Sequence, residues 1–257
     1  MSANKILFIP GLKPVLEALS SNPAEILEVF LRRGLSSPES KQILALCEKN
    51  GVPVGYRDGA GLDKLCAPSR NVGHQGVVAR AEARNFLPLS DLLRLAPEAP
   101  LPLVLALDQV QDPGNLGTLC RAAYALGCAG LVLPSHNSAL AGPGALRSSA
   151  GALRLLPIAE SVNLARALDD AAELGFAVCA ASGASAPDRD AFLFEWPFPA
   201  VLVLGNEAKG IRPGVLKRCE QKIAVPFARK FDSLNVAVAG AILISLAAAQ
   251  LAKTPRN

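Results

Sequence analysis

"LVLALD", residues 103–108, stays apolar until its last position. A strand with one wet face alternates apolar and polar residues; a strand covered on both faces reads as an unbroken apolar run. Four comparable runs follow: "AGLVLP" (129–134), "FAVCAA" (176–181), "VLVLG" (201–205) and "KIAVP" (222–226), separated by helix-length segments. The pattern predicts a parallel sheet with flanking helices, an α/β domain over residues 103–257. Ligands of open α/β sheets bind beyond the carboxyl ends of the strands, so the loops after these runs are where a site is expected.

Three of those loops carry chemistry. In "DPGNLGTLCRAAYALG" (112–127) a turn leads into a helical pattern, with Asn115 a candidate helix cap and Gly127 a candidate stop. Leu116, Leu119, Ala123 and Leu126 form one stripe, and at about 100° per residue Arg121 points almost opposite to it. Arg121 is thus either a solvated residue or a substrate contact. "LGNEAKGIRP" (204–213) has two glycines that permit close backbone approach, with Glu207 between them. "VPFARKFDSLNVAVAG" (225–240) joins a strand to an apolar helix that Asp232 or Ser233 can cap, leaving Asn235 unexplained. Between Lys209 and Lys230 lie seven basic residues and one acid, a density that suits a phosphate-rich partner; Lys209, Arg212, Arg229 and Lys230 are the candidate contacts.

Upstream, residues 1–80 read as a smaller α/β module with ten basic and seven acidic side chains. "KPVLEALS" is a short helix, "ILEVFLRRG" a helix or strand, and "VPVGY" and "QGVVAR" short strands. Ser37, Pro38 and Glu39 form a helix start before "SKQILALCEKNG". Residues 81–102, with four prolines and no strong periodicity except around "LSDLLRLA", read as a linker.

Bulk features narrow the chemistry. The chain has 257 residues, 51% hydrophobic and 5% aromatic, so aliphatic side chains must fill its cores. Its six cysteines form no C-x-x-C pair, which argues against a zinc or redox motif. His74 and His136 are the only histidines, and neither is assigned a role. G-x-G-x-x-G, Walker A, H-E-x-x-H and G-x-S-x-G patterns are all missing. The N-terminal apolar run is too short for a signal peptide, and a cytoplasmic setting is expected. Residues 234–251 fall short of a clean membrane span and read as a core or interface helix.

Taken in order, "DPGNLGTLCRAA", "LVLGNEAKGI" and "VPFARKFDSLNVAVAGAIL" resemble the three motifs of the SpoU–TrmH family of RNA ribose 2′-O-methyltransferases, within the SPOUT class. "GLKPVLEAL" and "HQGVVAR" resemble the ribosomal-protein-like RNA-binding domain found ahead of many such enzymes, notably bacterial 23S rRNA guanosine methyltransferases. The resemblance implies a C-terminal trefoil knot, S-adenosylmethionine as cofactor and methyl transfer to a ribose 2′-hydroxyl. Ribosomal RNA is the favoured substrate and transfer RNA the second. It also implies a homodimer through the last helix, without a membrane partner. Asn115, Arg121, Glu207, Ser233 and Asn235 fall on its catalytic motifs, and Leu204, Gly205, Val225, Pro226 and Leu234 on its cofactor loops. Two departures stand out: Arg229 and Lys230 lie in a loop where many relatives carry glycine, and Arg147 stands where lysine is common. A catalytically silent RNA-binding assembly factor and a nucleotide-binding metabolic enzyme are the competing classes.

Overall fold

The computed structural model describes residues 6–21, 23–66, 73–82, 86–135, 138, 143–183 and 189–253. His136 lies outside them. The chain divides into two units, Met1–Asn85 and Phe86–Asn257.

The first unit runs β1 (Ile6–Pro10), α1 (Leu12–Ser21), β2 (Ile26–Arg32), α2 (Pro38–Asn50), β3 (Val54–Arg57), α3 (Gly59–Cys66) and β4 (Val77–Glu82). Its sheet has the order β1-β4-β2-β3, antiparallel except for the β2–β3 pair. "ILEVFLRRG" is a strand because alternate side chains find cover on opposite faces. Val29 and Leu31 pack with Val15, Leu19 and Ile43 of α1 and α2, and Phe30 packs with Leu62 and Cys66 of α3. Helix α2 starts at Ser37, which exchanges hydrogen bonds with Ser40 in a capping box, with Pro38 at the first helical turn.

The second unit runs α4 (Leu89–Leu95), β5 (Leu101–Asp108), α5 (Pro113–Ala125), β6 (Cys128–Pro134), α6 (Pro143–Ser148), α7 (Ala152–Leu155) and β7 (Ile158–Ser161). It continues with α8 (Leu164–Glu173), β8 (Ala177–Ser182), β9 (Arg189–Asp190), β10 (Ala200–Gly205), α9 (Pro213–Leu216), β11 (Gln221–Ala224) and α10 (Val236–Lys253). Seven strands form one sheet in the order β7-β6-β5-β10-β8-β11-β9, and every pairing is parallel.

Alternate residues of β5 explain its unbroken apolar run. Leu103, Leu105 and Leu107 pack with Leu116, Leu119, Leu243 and Ile244 of α5 and α10. Val104 and Ala106 pack on the other face with Leu92, Leu93, Leu164, Leu168 and Val215. Each fully buried leucine stabilises the fold by roughly 1.5–3 kcal/mol, so both helical layers are held tightly against the sheet.

Several local expectations are corrected. Part of the presumed linker 81–102 is helix α4, with Leu92, Leu93 and Ala96 buried; proline there starts a helix and does not exclude one. Asn115 does not cap α5. Asp112 does, its carboxylate accepting a 2.7 Å hydrogen bond from the Asn115 backbone N–H, while Pro113 occupies the first turn. Leu126 falls outside the buried stripe, at 37% exposure. Neither Asp232 nor Ser233 caps α10. Asn235 Oδ1 accepts from the backbone N–H groups of Ala237 (2.9 Å) and Val238 (3.3 Å), which accounts for asparagine at the head of an apolar helix.

Helix α10 is long and apolar enough to cross a membrane by length and composition alone. Its buried residues Val236, Ala237, Gly240, Leu243, Ile244 and Ala247 form one helical stripe. A Cβ on Gly240 would meet methyls of Leu119 and Leu204, so glycine lets α10 lie close against α5 and β10. Gln250 grips the turn before β10, accepting from the Trp196 backbone N–H (2.7 Å) and donating to its carbonyl (3.1 Å).

Candidate active site at the strand ends

The loops after β5, β10 and β11 converge because their strands are parallel, so all three carboxyl ends lie along one sheet edge. The contact between them is polar and directional. Asn115 Nδ2 donates to Glu207 Oε1, and Asn235 Nδ2 donates to Asn115 Oδ1 at 3.0 Å. The amide orientations follow from the ends of the chain. A carboxylate oxygen accepts, so Asn115 turns its NH₂ to Glu207. Asn235 must turn its oxygen to the α10 N–H groups, leaving its own NH₂ for Asn115. Residues 92 and 120 positions apart are thereby locked into one network.

A cleft of about 200 Å³ opens beside this network. Leu204, Gly205 and Glu207 line it from the β10 side, and Val225, Ser233 and Leu234 from the β11 side. Ile211, Phe227 and Leu243 add apolar wall, and Ser182 adds a hydroxyl. Pro226 is exposed between two lining residues.

The β10 loop is built for close approach. Asn206 and Gly210 exchange backbone hydrogen bonds at 3.1 and 2.8 Å, and Gly210 has a φ of 67°, where a side chain is strained. A Cβ on Gly205 would lie 2.5 Å from the Gly210 carbonyl carbon and 2.6 Å from the Ile211 nitrogen, both backbone atoms that cannot swing aside. Asn206 ties the loop to β5: its Nδ2 donates to the Gln109 carbonyl at 3.0 Å, while its Oδ1 accepts from Ala208 and Lys209.

One position the sequence reading missed holds this loop. Asp108, the polar end of "LVLALD", is fully buried. It accepts from the Arg212 backbone N–H (2.7 Å), from Arg212 Nε (2.8 Å) and from an Arg212 Nη (2.7 Å). Arg212 thus holds a buried carboxylate 104 positions away while 46% of its side chain stays exposed; a buried carboxylate needs such a partner. The signal was a lone acid closing a two-faced apolar strand. Lys209, Arg229 and Lys230 are exposed, and Arg218 pairs with Asp169 at 3.2 Å.

Arg121 is exposed on α5 and is not among the residues lining the cleft. It lies six residues beyond Asn115, about 9 Å along the helix and about 120° around it. Thr118, one turn before it, lines a separate apolar groove with Phe192, Val238, Ile242 and Leu246. The cysteines offer no nucleophile: burial pushes the Cys128 and Cys179 thiols up to about 12.

Comparison with known proteins fits this geometry. Residues 102–245 match the model of the SpoU rRNA Methylase family, and residues 8–87 match an RNA 2′-O ribose methyltransferase substrate-binding model. The chain is 32% identical over 239 residues to a Bacillus subtilis relative described as a TrmH family tRNA/rRNA methyltransferase, covering 92% of this chain and 93% of that one. It is 33% identical over 239 residues to the 23S rRNA (guanosine-2′-O-)-methyltransferase RlmB of Pseudomonas putida, with the same coverage. Among solved structures, an AdoMet-bound rRNA methyltransferase from Sinorhizobium meliloti aligns with a TM-score of 0.59 at 27% identity, covering 96% of this chain and 88% of that one. The first family match takes in β5, β10 and β11, the three loops that meet at the cleft and the start of α10, and on that ground the chain belongs to the SpoU rRNA Methylase family.

Proposed function

We propose that this protein transfers a methyl group from S-adenosylmethionine to a ribose 2′-hydroxyl of RNA, with ribosomal RNA the substrate. The observation that carries the reading is the meeting of Asn115, Glu207 and Asn235 at the mouth of a cleft formed by strand ends. The 23S rRNA activity named for the Pseudomonas relative supports the ribosomal choice.

The cleft suits the cofactor. Its aliphatic wall of Leu204, Ile211, Val225, Leu234 and Leu243 matches an adenine face, and the backbone at Gly205, Val225 and Leu234 borders it where hydrogen bonds can read the ring edge. When bound, the cofactor supplies an electrophilic methyl on a sulfonium centre. Asn115, Glu207 and Asn235 hold the three loops in register around it, and Ser233 offers a hydroxyl to the pocket. Arg121 orients the ribose and the adjacent phosphate and stabilises negative charge growing on the 2′-oxygen. A guanidinium stays protonated, so it does not serve as the base; the RNA phosphate takes the proton. Lys209, Arg229 and Lys230 attract the backbone of the RNA.

Arg121 reaches a site through pairing of two chains. The apolar groove formed by Thr118 with α10 borders Arg121, one turn away on the same helix face. A second copy seated there buries Val238, Phe192 and Leu246 and carries each Arg121 toward the other chain's cleft. A C-terminal trefoil knot belongs to this reading, and the return of α10 from β11 to pack on α5, β5 and β10 supports it. The first unit supplies RNA affinity, as its match to the substrate-binding model supports. The ribosomal RNA activity named for a bacterial relative supports a cytoplasmic setting.

Gly205→Ala should weaken S-adenosylmethionine binding at least about tenfold by calorimetry, because the added methyl meets two backbone atoms below 3 Å. Unchanged affinity would remove Gly205 from the cofactor loop. The reading as a whole is tested by incubating wild-type protein and labelled cofactor with RNA from cells lacking the gene. Label on ribosomal RNA supports it, label on transfer RNA alone corrects the substrate, and no label on either overturns it.

A further inference from the structure

The loop from β11 to α10 holds a feature that methyl transfer alone does not require. Both ends of the loop line the cleft, through Val225 and Phe227 on one side and Ser233 and Leu234 on the other. Its middle, Ala228 to Asp232, points into solvent, and Phe231 there is 71% exposed. A phenylalanine has no polar tip to satisfy, so leaving its ring in water forgoes the burial that most phenylalanines find. Phe231 is not part of the apolar groove that Phe192, Val238 and Leu246 form along α10, so a chain covering that groove does not account for it.

The neighbours of Phe231 point to its partner. Lys230 and Arg229 precede it and are exposed, and Lys209 is exposed on the adjacent β10 loop. An open aromatic face beside cations is how proteins hold unpaired nucleotides: the cations take the phosphates and the ring takes a base. Phe231 lies two residues from Ser233, so the two Cα atoms are within about 7 Å. A base resting on Phe231 therefore belongs to a nucleotide next to the one whose ribose is held at the mouth of the cleft.

We propose that Phe231 is a stacking platform for an unpaired RNA base flanking the methylated ribose, with Arg229 and Lys230 holding the phosphates on either side. Stacking needs only a π-face, so Phe231 demands that the flanking nucleotide be unpaired and adds little discrimination among bases. The target is thus a loop or bulge and not a continuous duplex. This rests on the RNA-methylating reading above.

The test measures equilibrium binding of ribosomal RNA from cells lacking the gene, together with methyl transfer, for wild type, Phe231→Ala, Phe231→Leu and Phe231→Trp. Phe231→Ala should weaken RNA binding roughly 5- to 100-fold, the range seen when a stacking aromatic is removed. The RNA KM should rise in step, while cofactor affinity, melting temperature and oligomeric mass stay put. Phe231→Trp should restore binding and Phe231→Leu should not, because leucine matches the apolar bulk and lacks the π-face. Equal RNA affinity for wild type and Phe231→Ala overturns the proposal. So does full rescue by leucine, or a change of oligomeric mass on truncation, which would place the ring against another chain. RNA binding that depends on Phe231 without any methyl transfer would overturn the activity and leave the platform standing.

Discussion

Arg121→Ala is expected to lower the rate of methyl transfer roughly 100- to 1,000-fold, the usual consequence of deleting a donor aimed at developing oxyanion charge. Cofactor affinity and melting temperature should hold, because Arg121 is exposed and lies outside the cleft lining. The two-chain site makes the prediction sharper. Neither Arg121→Ala nor Glu207→Ala should be active alone, but mixing and re-equilibrating them should recover activity, since a mixed dimer contains one intact arginine facing one intact cleft. Recovery absent from a mixture shown to exchange subunits would return Arg121 to a site within its own chain. Full activity of Arg121→Ala by itself would strip the residue of its role.

The second large effect falls on stability. Arg212→Ala leaves the fully buried Asp108 carboxylate with one backbone N–H where it now has three donors. Breaking a buried pair by removing one partner costs about 3–5 kcal/mol; half-exposure of the arginine places this case near the lower end. For a unit of this size about 3 kcal/mol corresponds to a fall in melting temperature of roughly 6–12 °C. Lysine at 212 should recover little, because it cannot present the two-pronged fork. Adding Asp108→Asn to Arg212→Ala should recover part of the loss by removing the uncompensated charge. Thermal unfolding of the four proteins decides the matter, and a loss below about 1 kcal/mol would show that the pair is not what anchors the β10 loop.

What the sequence disclosed follows from how far each kind of signal reaches. Runs such as "LVLALD" and "VLVLG" announced buried parallel strands because burial on both faces removes alternation within the run itself. The site loops were legible because they follow those strands. β7 and β9 were missed, since four and two residues carry no period. Helix α4 showed its periodicity in "LSDLLRLA", but the prolines around it turned the segment into a linker reading. The caps were misplaced because Asp112 and Asn115, or Asp232, Ser233 and Asn235, are chemically equivalent candidates at neighbouring positions; backbone geometry alone chooses Asp112 and Asn235. Counting charges along a segment drew Arg212 into the basic patch, because its partner Asp108 sits 104 positions away. The joining of Asn115, Glu207 and Asn235 is likewise a product of topology. Helical periodicity oriented Arg121 away from the core and said nothing of its distance from the cleft.

Where the methyl group lands separates ribose methylation from base methylation. RNA labelled by wild-type protein with methyl-tritiated cofactor can be hydrolysed in alkali and the products separated by size. Cleavage needs a free 2′-hydroxyl, so a 2′-O-methylated nucleotide survives as part of a dinucleotide. The geometry of the three loops predicts label in alkali-resistant dinucleotides. Label confined to mononucleotides, the mark of methylation on a base, would contradict it.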